Sequence, residues 1–219
     1  MSGETAMSDY IERFRTSERV LHWIVTASFF TLLLTGLGLY SRLFQGYFGL
    51  FGGGMNAILI HKISGVIFFF SSIYMFLNHK KDISTFDQDD KLWIDKSGGY
   101  LSRDASHFNI GKYNPGQKLF ALCIAVATAV LGVTGIIAWL PLYFPRFIVQ
   151  VSLMTHSLVF IGSIMFVIVH VYLATIGNPG TIEAMLYGDV KRIWAKKHQQ
   201  PIKASVFLLA NYQLIYGWQ

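Results

Sequence analysis

Four long apolar stretches dominate the chain, at roughly 20–40, 58–77, 119–140 and 149–176, and polar or glycine-rich connections separate them. Each holds about 20 or more largely apolar residues, enough to cross ~30 Å of hydrocarbon as a helix. None of the four contains an Asp or Glu. The pattern predicts an all-α, integral membrane four-helix bundle, with 1–219 as a single membrane domain, a connection at 78–118 and a tail at 177–219. The first stretch is too long for the h-region of a signal peptide, and no small-x-small cleavage site follows Tyr40, so it reads as a retained anchor helix.

Composition strengthens the membrane reading, since 53% of the 219 residues are hydrophobic, 16% aromatic and only 14% charged. A net charge of +6 invites a nucleic-acid partner, but in such a chain basic residues mark a membrane face, and the reading here is a lipid bilayer and no nucleic acid. Arg13, Arg15 and Arg19 precede the first span; Lys80, Lys81, Lys91, Lys96, Arg103, Lys112 and Lys118 lie in the long connection; Lys191, Arg192, Lys196, Lys197 and Lys203 lie in the tail. The other two connections carry only Arg42 and Arg146, with Lys62 just inside the second span. The positive-inside rule therefore puts both termini and the 78–118 loop in the cytoplasm.

The remaining segments are read from local chemistry. Gly46, Gly49 and Gly52 to Gly54 make the first outer connection flexible by composition, and Pro141 and Pro145 act as helix stops around the second. Asp87, Asp89, Asp90, Lys91, Asp95 and Lys96 read as a solvated stretch without a specific role. Trp194 to His198 reads as a short basic amphipathic helix at headgroup level. The last residues, 204–219, are apolar but too short to span, and have no functional reading beyond packing. Cys123 is the single cysteine, so an iron–sulfur ligand set, an internal disulfide and covalent haem attachment through C-x-x-C-H are all excluded.

Ionisable residues inside a bilayer are costly and mark function by default. Four of the seven histidines fall in the spans: His22 near the inner end of the first, His61 near the outer end of the second, and His156 and His170 in the fourth. His156 and His170 are about four turns apart, which leaves them ~40° apart around the axis and ~21 Å apart along it. Antiparallel spans bring His22 to the depth of His170 and His61 to the depth of His156. Two imidazoles on opposite sides of a flat macrocycle fill both axial positions of a haem iron, leaving no open site for dioxygen and favouring electron transfer. Zinc or copper wants three or four converging ligands, and a proton relay more usually includes an Asp or Glu. Taken singly, each histidine also suits an interhelical hydrogen bond, so a haem-free membrane anchor or transporter is the alternative of another class. His79 shares a helical face with His61, but Asn78, Lys80 and Lys81 place it among headgroups; His107 and His198 read as solvated. Gly36, 14 residues after His22, lies at the outer depth, where it suits either a porphyrin against the backbone or ordinary close helix packing.

Over roughly residues 13 to 200 the chain resembles the cytochrome b (gamma) subunit of respiratory formate dehydrogenases. The resemblance is carried by Arg19-Val20-Leu21-His22-Trp23, Ile60-His61, Gly111-Lys112-Tyr113-Asn114-Pro115-Gly116-Gln117-Lys118, Met154-Thr155-His156, His170-Val171-Tyr172 and Trp194-Ala195-Lys196-Lys197-His198. It implies two haems b, the outer held by His61 and His156 and the inner by His22 and His170. It also implies a menaquinone or ubiquinone site near the cytoplasm lined by Asn114, Gly116 and Gln117, with His170 nearby. The implied partners are an iron–sulfur (beta) subunit and a molybdenum or tungsten catalytic (alpha) subunit on the outer face. The apolar tail after about Pro201 departs from that family's pattern. Paired histidines alone also suit the cytochrome b subunit of a membrane-bound hydrogenase or another respiratory oxidoreductase. Without the resemblance, Asn114-Pro115-Gly116 is a turn before a helix.

Overall fold

The computed structural model describes residues 9–96 and 111–198. His107 and the 204–219 tail lie outside these residues, as do the side chains of 196–198. Four helices are long and apolar enough to span a membrane: α1 (Thr16–Tyr40), α2 (Gly54–Ser84), α4 (Pro115–Trp139) and α5 (Arg146–Tyr172), the last prolonged by a wide π-helical turn to Gly177. Short helices α3 (Gln88–Asp95), α6 (Glu183–Leu186) and α7 (Arg192–His198) complete the α-helices of the described residues, with strands β1 (Tyr10–Glu12) and β2 (Asp189–Lys191).

The bundle is polar inside and apolar outside. Buried positions on the long helices include Ser28, Thr35, Ser64, Ser72, Thr128, Thr134, Ser152 and Ser163, while Phe70, Val126, Met165 and Ile168 point outward. Water would reverse that distribution; in lipid, helices associate through small residues that allow close approach. Several of the hydroxyls are satisfied by a carbonyl of their own helix, Ser28 donating to Ile24 at 2.8 Å and Ser163 to Val159 at 2.8 Å, whereas Ser72 and Thr128 are buried without a partner. The backbone of each long helix is satisfied internally, as hydrocarbon demands.

The helices form two hairpins, α1 against α2 and α4 against α5, joined by α2 packing on α4. Neither α1 with α5 nor α2 with α5 makes a comparable packed interface. Glycines set the close contacts: a Cβ on Gly132 of α4 would stand 2.6 Å from the Phe69 ring of α2.

Helix ends follow their capping residues. Pro115 opens α4 behind a reciprocal capping box, in which Gln117 N–H donates to Asn114 Oδ1 at 2.8 Å and Asn114 N–H to Gln117 Oε1 at 3.0 Å. After Trp139 the chain makes one 3₁₀ turn, Pro141–Tyr143, before α5. The glycine-rich first connection is more ordered than its composition predicts. Arg42–Phe51 forms a 3₁₀ helix against α1, because the absent side chain of Gly38 leaves room for the Phe48 ring.

Opposite that connection, both described ends of the chain meet in a small cap. Strands β1 and β2 pair antiparallel with Ile11 opposite Val190, and Phe14, Ala184, Val190 and Ala195 form a cluster beneath them. Gly188, at φ 95°, accepts from Arg13 and Phe14 N–H at 2.8 and 3.1 Å; a Cβ there would lie 3.0 Å from Phe14 O. The Arg19 guanidinium donates to the carbonyls of Met185, Leu186 and Tyr187, tying α1 to the end of α6. Trp194, expected at headgroup level, packs against this cap with the Arg13 guanidinium 4.7 Å over its ring.

The acidic stretch also departs from its solvated reading. Asp90 caps α3 reciprocally with Asp87 and is buried in an ion pair with Lys118 of α4.

Candidate functional site

Thr35 and Thr134, unremarked in the sequence, stand beside two of the histidines. On α1, Thr35 Oγ1 lies 2.8 Å from His61 Nδ1 of α2; on α4, Thr134 Oγ1 lies 2.9 Å from His156 Nδ1 of α5. Both threonines are buried, and both hydroxyls also reach the carbonyl four residues earlier, Thr31 O and Val130 O, each at 2.7 Å. A glycine follows each threonine. Cβ positions built on Gly36 and Gly135 would lie 3.5 Å from the Cε1 atoms of His61 and His156, respectively. Gly36 thus faces an imidazole and the Phe160 ring. The signal available in the sequence was the pair of Thr-Gly steps near the ends of the first and third spans.

His61 and His156 lie within electrostatic reach of one another, as do His22 and His170. All four are partly buried. At the second depth the surroundings differ: His22 Nδ1 is buried without a hydrogen-bond partner, and the His170 ring stacks on Phe120 at 4.4 Å with planes 11° apart. The pairs lie across α1 with α5 and α2 with α5, helices without the close backbone packing of the α1–α2 and α4–α5 hairpins, although the Phe160 ring of α5 reaches Gly36 of α1.

At the same end of the bundle as His22 and His170 lies a polar cluster. Glu18, one helical turn before His22, accepts from Lys112 Nζ at 2.6 Å and from Arg15 N–H at 2.8 Å, and His79 Nε2 stands 3.3 Å away. His79 therefore turns inward, edge-on to Tyr113 at 5.7 Å, where the sequence had placed it among headgroups. Burial, reinforced by the negative charges of Glu18 and Asp82, raises the Tyr113 hydroxyl above the usual phenol range. Burial also brings the Arg13 guanidinium down to about 10. Asn114 and Gln117 follow directly, with their side-chain oxygens engaged in the capping box. Gly116 lies against Trp93 of α3, whose ring comes within 3.2 Å of a Cβ built there.

Comparison with known proteins gives this arrangement a family. Residues 13–188 match the family described as prokaryotic cytochrome b561. The formate dehydrogenase cytochrome b556(fdo) subunit of Escherichia coli K12 is 32% identical over 193 residues, covering 87% of this chain and 90% of that protein. The nitrate-inducible cytochrome b556(Fdn) subunit of the same organism is 32% identical over 195 residues, covering 87% and 89%. The formate dehydrogenase cytochrome b556 subunit of Haemophilus influenzae is 31% identical over 197 residues, covering 86% and 80%.

Haem b, the group this family implies, suits the chemistry on offer. With Nδ1 of His61 and His156 beside threonine hydroxyls, Nε2 is the ring nitrogen left to each for a metal. By fold, histidine placement and likeness, the chain is a multi-pass membrane protein belonging to the prokaryotic cytochrome b561 family.

Proposed function

We propose that this protein is the dihaem cytochrome b membrane-anchor subunit of a formate dehydrogenase. It receives electrons from an iron–sulfur subunit on the outer face and delivers them to menaquinone or ubiquinone near the cytoplasmic face. The observation that carries this reading is the occurrence of two histidine pairs, His61 with His156 and His22 with His170, each within electrostatic reach and at different depths of the bundle. His61 and His156 would hold the outer haem, and His22 and His170 the inner. When bound, haem b supplies a one-electron couple whose axial positions are both filled by imidazole.

The chain's own residues supply the rest. The apolar outer surface of α1, α2, α4 and α5 keeps the subunit in the bilayer, and the basic cap fixes its orientation with both termini in the cytoplasm of a bacterial inner membrane. Asn114 and Gln117 keep their amide N–H groups for a quinone oxygen while their oxygens cap α4, and Gly116 keeps that turn slim. Glu18, a turn before His22, and His79 beside it are ionisable groups suited to carry protons between water and the quinone.

The names of the relatives favour formate as the electron source, and with it an iron–sulfur (beta) and a molybdenum or tungsten catalytic (alpha) partner, over the hydrogenase that paired histidines alone would also serve. Purification of the tagged chain from its native membranes tests both points. Two low-spin haems b per chain and co-purifying formate:quinone oxidoreductase activity are expected. Co-purification of hydrogenase activity alone, or a chain without haem, would overturn the reading. Ala at His61 or His156 should remove the outer haem and Ala at His22 or His170 the inner; four variants that each keep two haems with unaltered spectra would refute the pairing.

A further inference from the structure

The two histidine depths are built differently, and the difference lies in what each imidazole's second nitrogen meets. At the outer depth both Nδ1 atoms meet a buried threonine hydroxyl, at 2.8 Å for Thr35 and 2.9 Å for Thr134. At the inner depth His22 Nδ1 is buried with no partner, and His170 rests on the Phe120 ring.

A threonine hydroxyl can donate one hydrogen and accept others. The carbonyls of Thr31 and Val130, 2.7 Å away, can only accept, so each is a ready destination for the hydroxyl hydrogen. A neutral imidazole that gives Nε2 to a metal carries its proton on Nδ1. Only one arrangement then satisfies every group: Nδ1–H donates to the hydroxyl oxygen, and the hydroxyl donates to the carbonyl of its own helix. Successive hydrogen bonds of this kind strengthen one another in a low-dielectric interior. A hydrogen bond on the second nitrogen fixes the tautomer and ring orientation and raises the basicity of the ligating nitrogen. A more basic ligand favours ferric over ferrous iron, and hydrogen bonding around the ligands is one of the protein's levers on potential.

We propose that Thr35 and Thr134 are positioning residues for the outer haem, orienting His61 and His156 through their hydroxyls and lowering the midpoint potential of the group those histidines hold. The inference rests on the haem reading above. Its consequence is a bias toward inward electron flow, since the inner pair lacks this arrangement.

The test uses the purified complex with its haems, in Thr35→Val and Thr134→Val variants and in their Thr→Ser counterparts, which retain the hydroxyl. Optical redox titration and low-spin electron paramagnetic resonance are the readouts. The outer component is identified as the one missing from His61→Ala. Each Val variant should shift the outer midpoint upward and alter its resonance while the inner midpoint stays put, and each Ser variant should return both to wild type. Should a Val variant lose the outer haem, retention in the matching Ser variant supports the same dependence on the hydroxyl. Unchanged midpoints and resonances in both Val variants, or equal disturbance in Val and Ser, overturn the proposal while the haem reading stands. A wild-type complex lacking two low-spin haems overturns the haem reading itself.

Discussion

Lys118 Nζ lies 2.5 Å from Asp90 Oδ2, in an ion pair whose side chains are only 7% and 1% exposed. Lys118 also donates to Thr85 O at 2.9 Å, so one side chain fastens the start of α4 to α3 and to the end of α2. Breaking a buried pair from one side leaves an uncompensated charge, at a cost of ~3–5 kcal/mol. Lys118→Met is therefore expected to lower the thermal unfolding temperature of the detergent-solubilised protein and expose residues 85–96 to protease. Adding Asp90→Asn should recover part of the loss. Equal melting of Lys118→Met and wild type would show that the pair carries no net stability.

Gly132 makes a second, purely steric prediction. A Cβ there would stand 2.6 Å from Phe69 Cδ2 and Cε2, so Gly132→Ala forces the ring to move or α2 and α4 to separate. Overpacking of this kind costs ~1–3 kcal/mol. Lower stability of Gly132→Ala, relieved by Phe69→Leu on the same background, is expected in thermal melts. A double variant no more stable than the single one would place the strain elsewhere.

Asn114 caps α4 and, on the proposed reading, also offers its amide to a quinone. Its oxygen caps α4, and an Asn→Ala change at an N-cap costs ~0.5–2 kcal/mol whatever the residue does chemically. Asn114→Ser keeps an acceptor for the Gln117 N–H but removes the amide donor offered to a quinone. In Asn114→Ser, haem content and melting should stay near wild type while reoxidation of the reduced protein by a quinone analogue slows. Wild-type reoxidation in Asn114→Ser, with stability lost only in Asn114→Ala, would return this residue to capping alone.

The bundle was legible because the hydrocarbon core imposes one rule on every position of a span. The histidines stood out for the same reason, since a polar ring among Leu and Phe is conspicuous. Thr35 and Thr134 were less conspicuous: many Ser and Thr residues on these helices satisfy themselves through their own backbone, and the glycine that follows each is the one local mark these two carry. Strands β1 and β2 are three residues each and pair across nearly the whole described chain, so no local periodicity announces them. Asp90 looked solvated among its acidic neighbours because its partner, Lys118, is brought to it by the packing of α3 on α4.

The last prediction concerns the work done by charge crossing the membrane. The histidines of α5 are separated by ~21 Å of a ~30 Å core, so electrons entering at the outer depth and leaving at the inner one traverse most of the field. Moving an electron from the positive outside to the negative inside opposes ~2.3 kcal/mol per 100 mV for a full crossing. On the proposed reading, the drop in redox energy from donor to quinone must exceed that cost, and protons taken up beside Glu18 and His79 on the cytoplasmic side would complete the charge separation. In oriented proteoliposomes with an outward-facing donor, an imposed inside-negative potential should slow turnover, and an ionophore should restore it. A pH indicator trapped in the lumen should report alkalinisation during turnover. Sustained turnover that builds no membrane potential, or that consumes protons from the outer compartment, would put the quinone on the opposite face and overturn this arrangement.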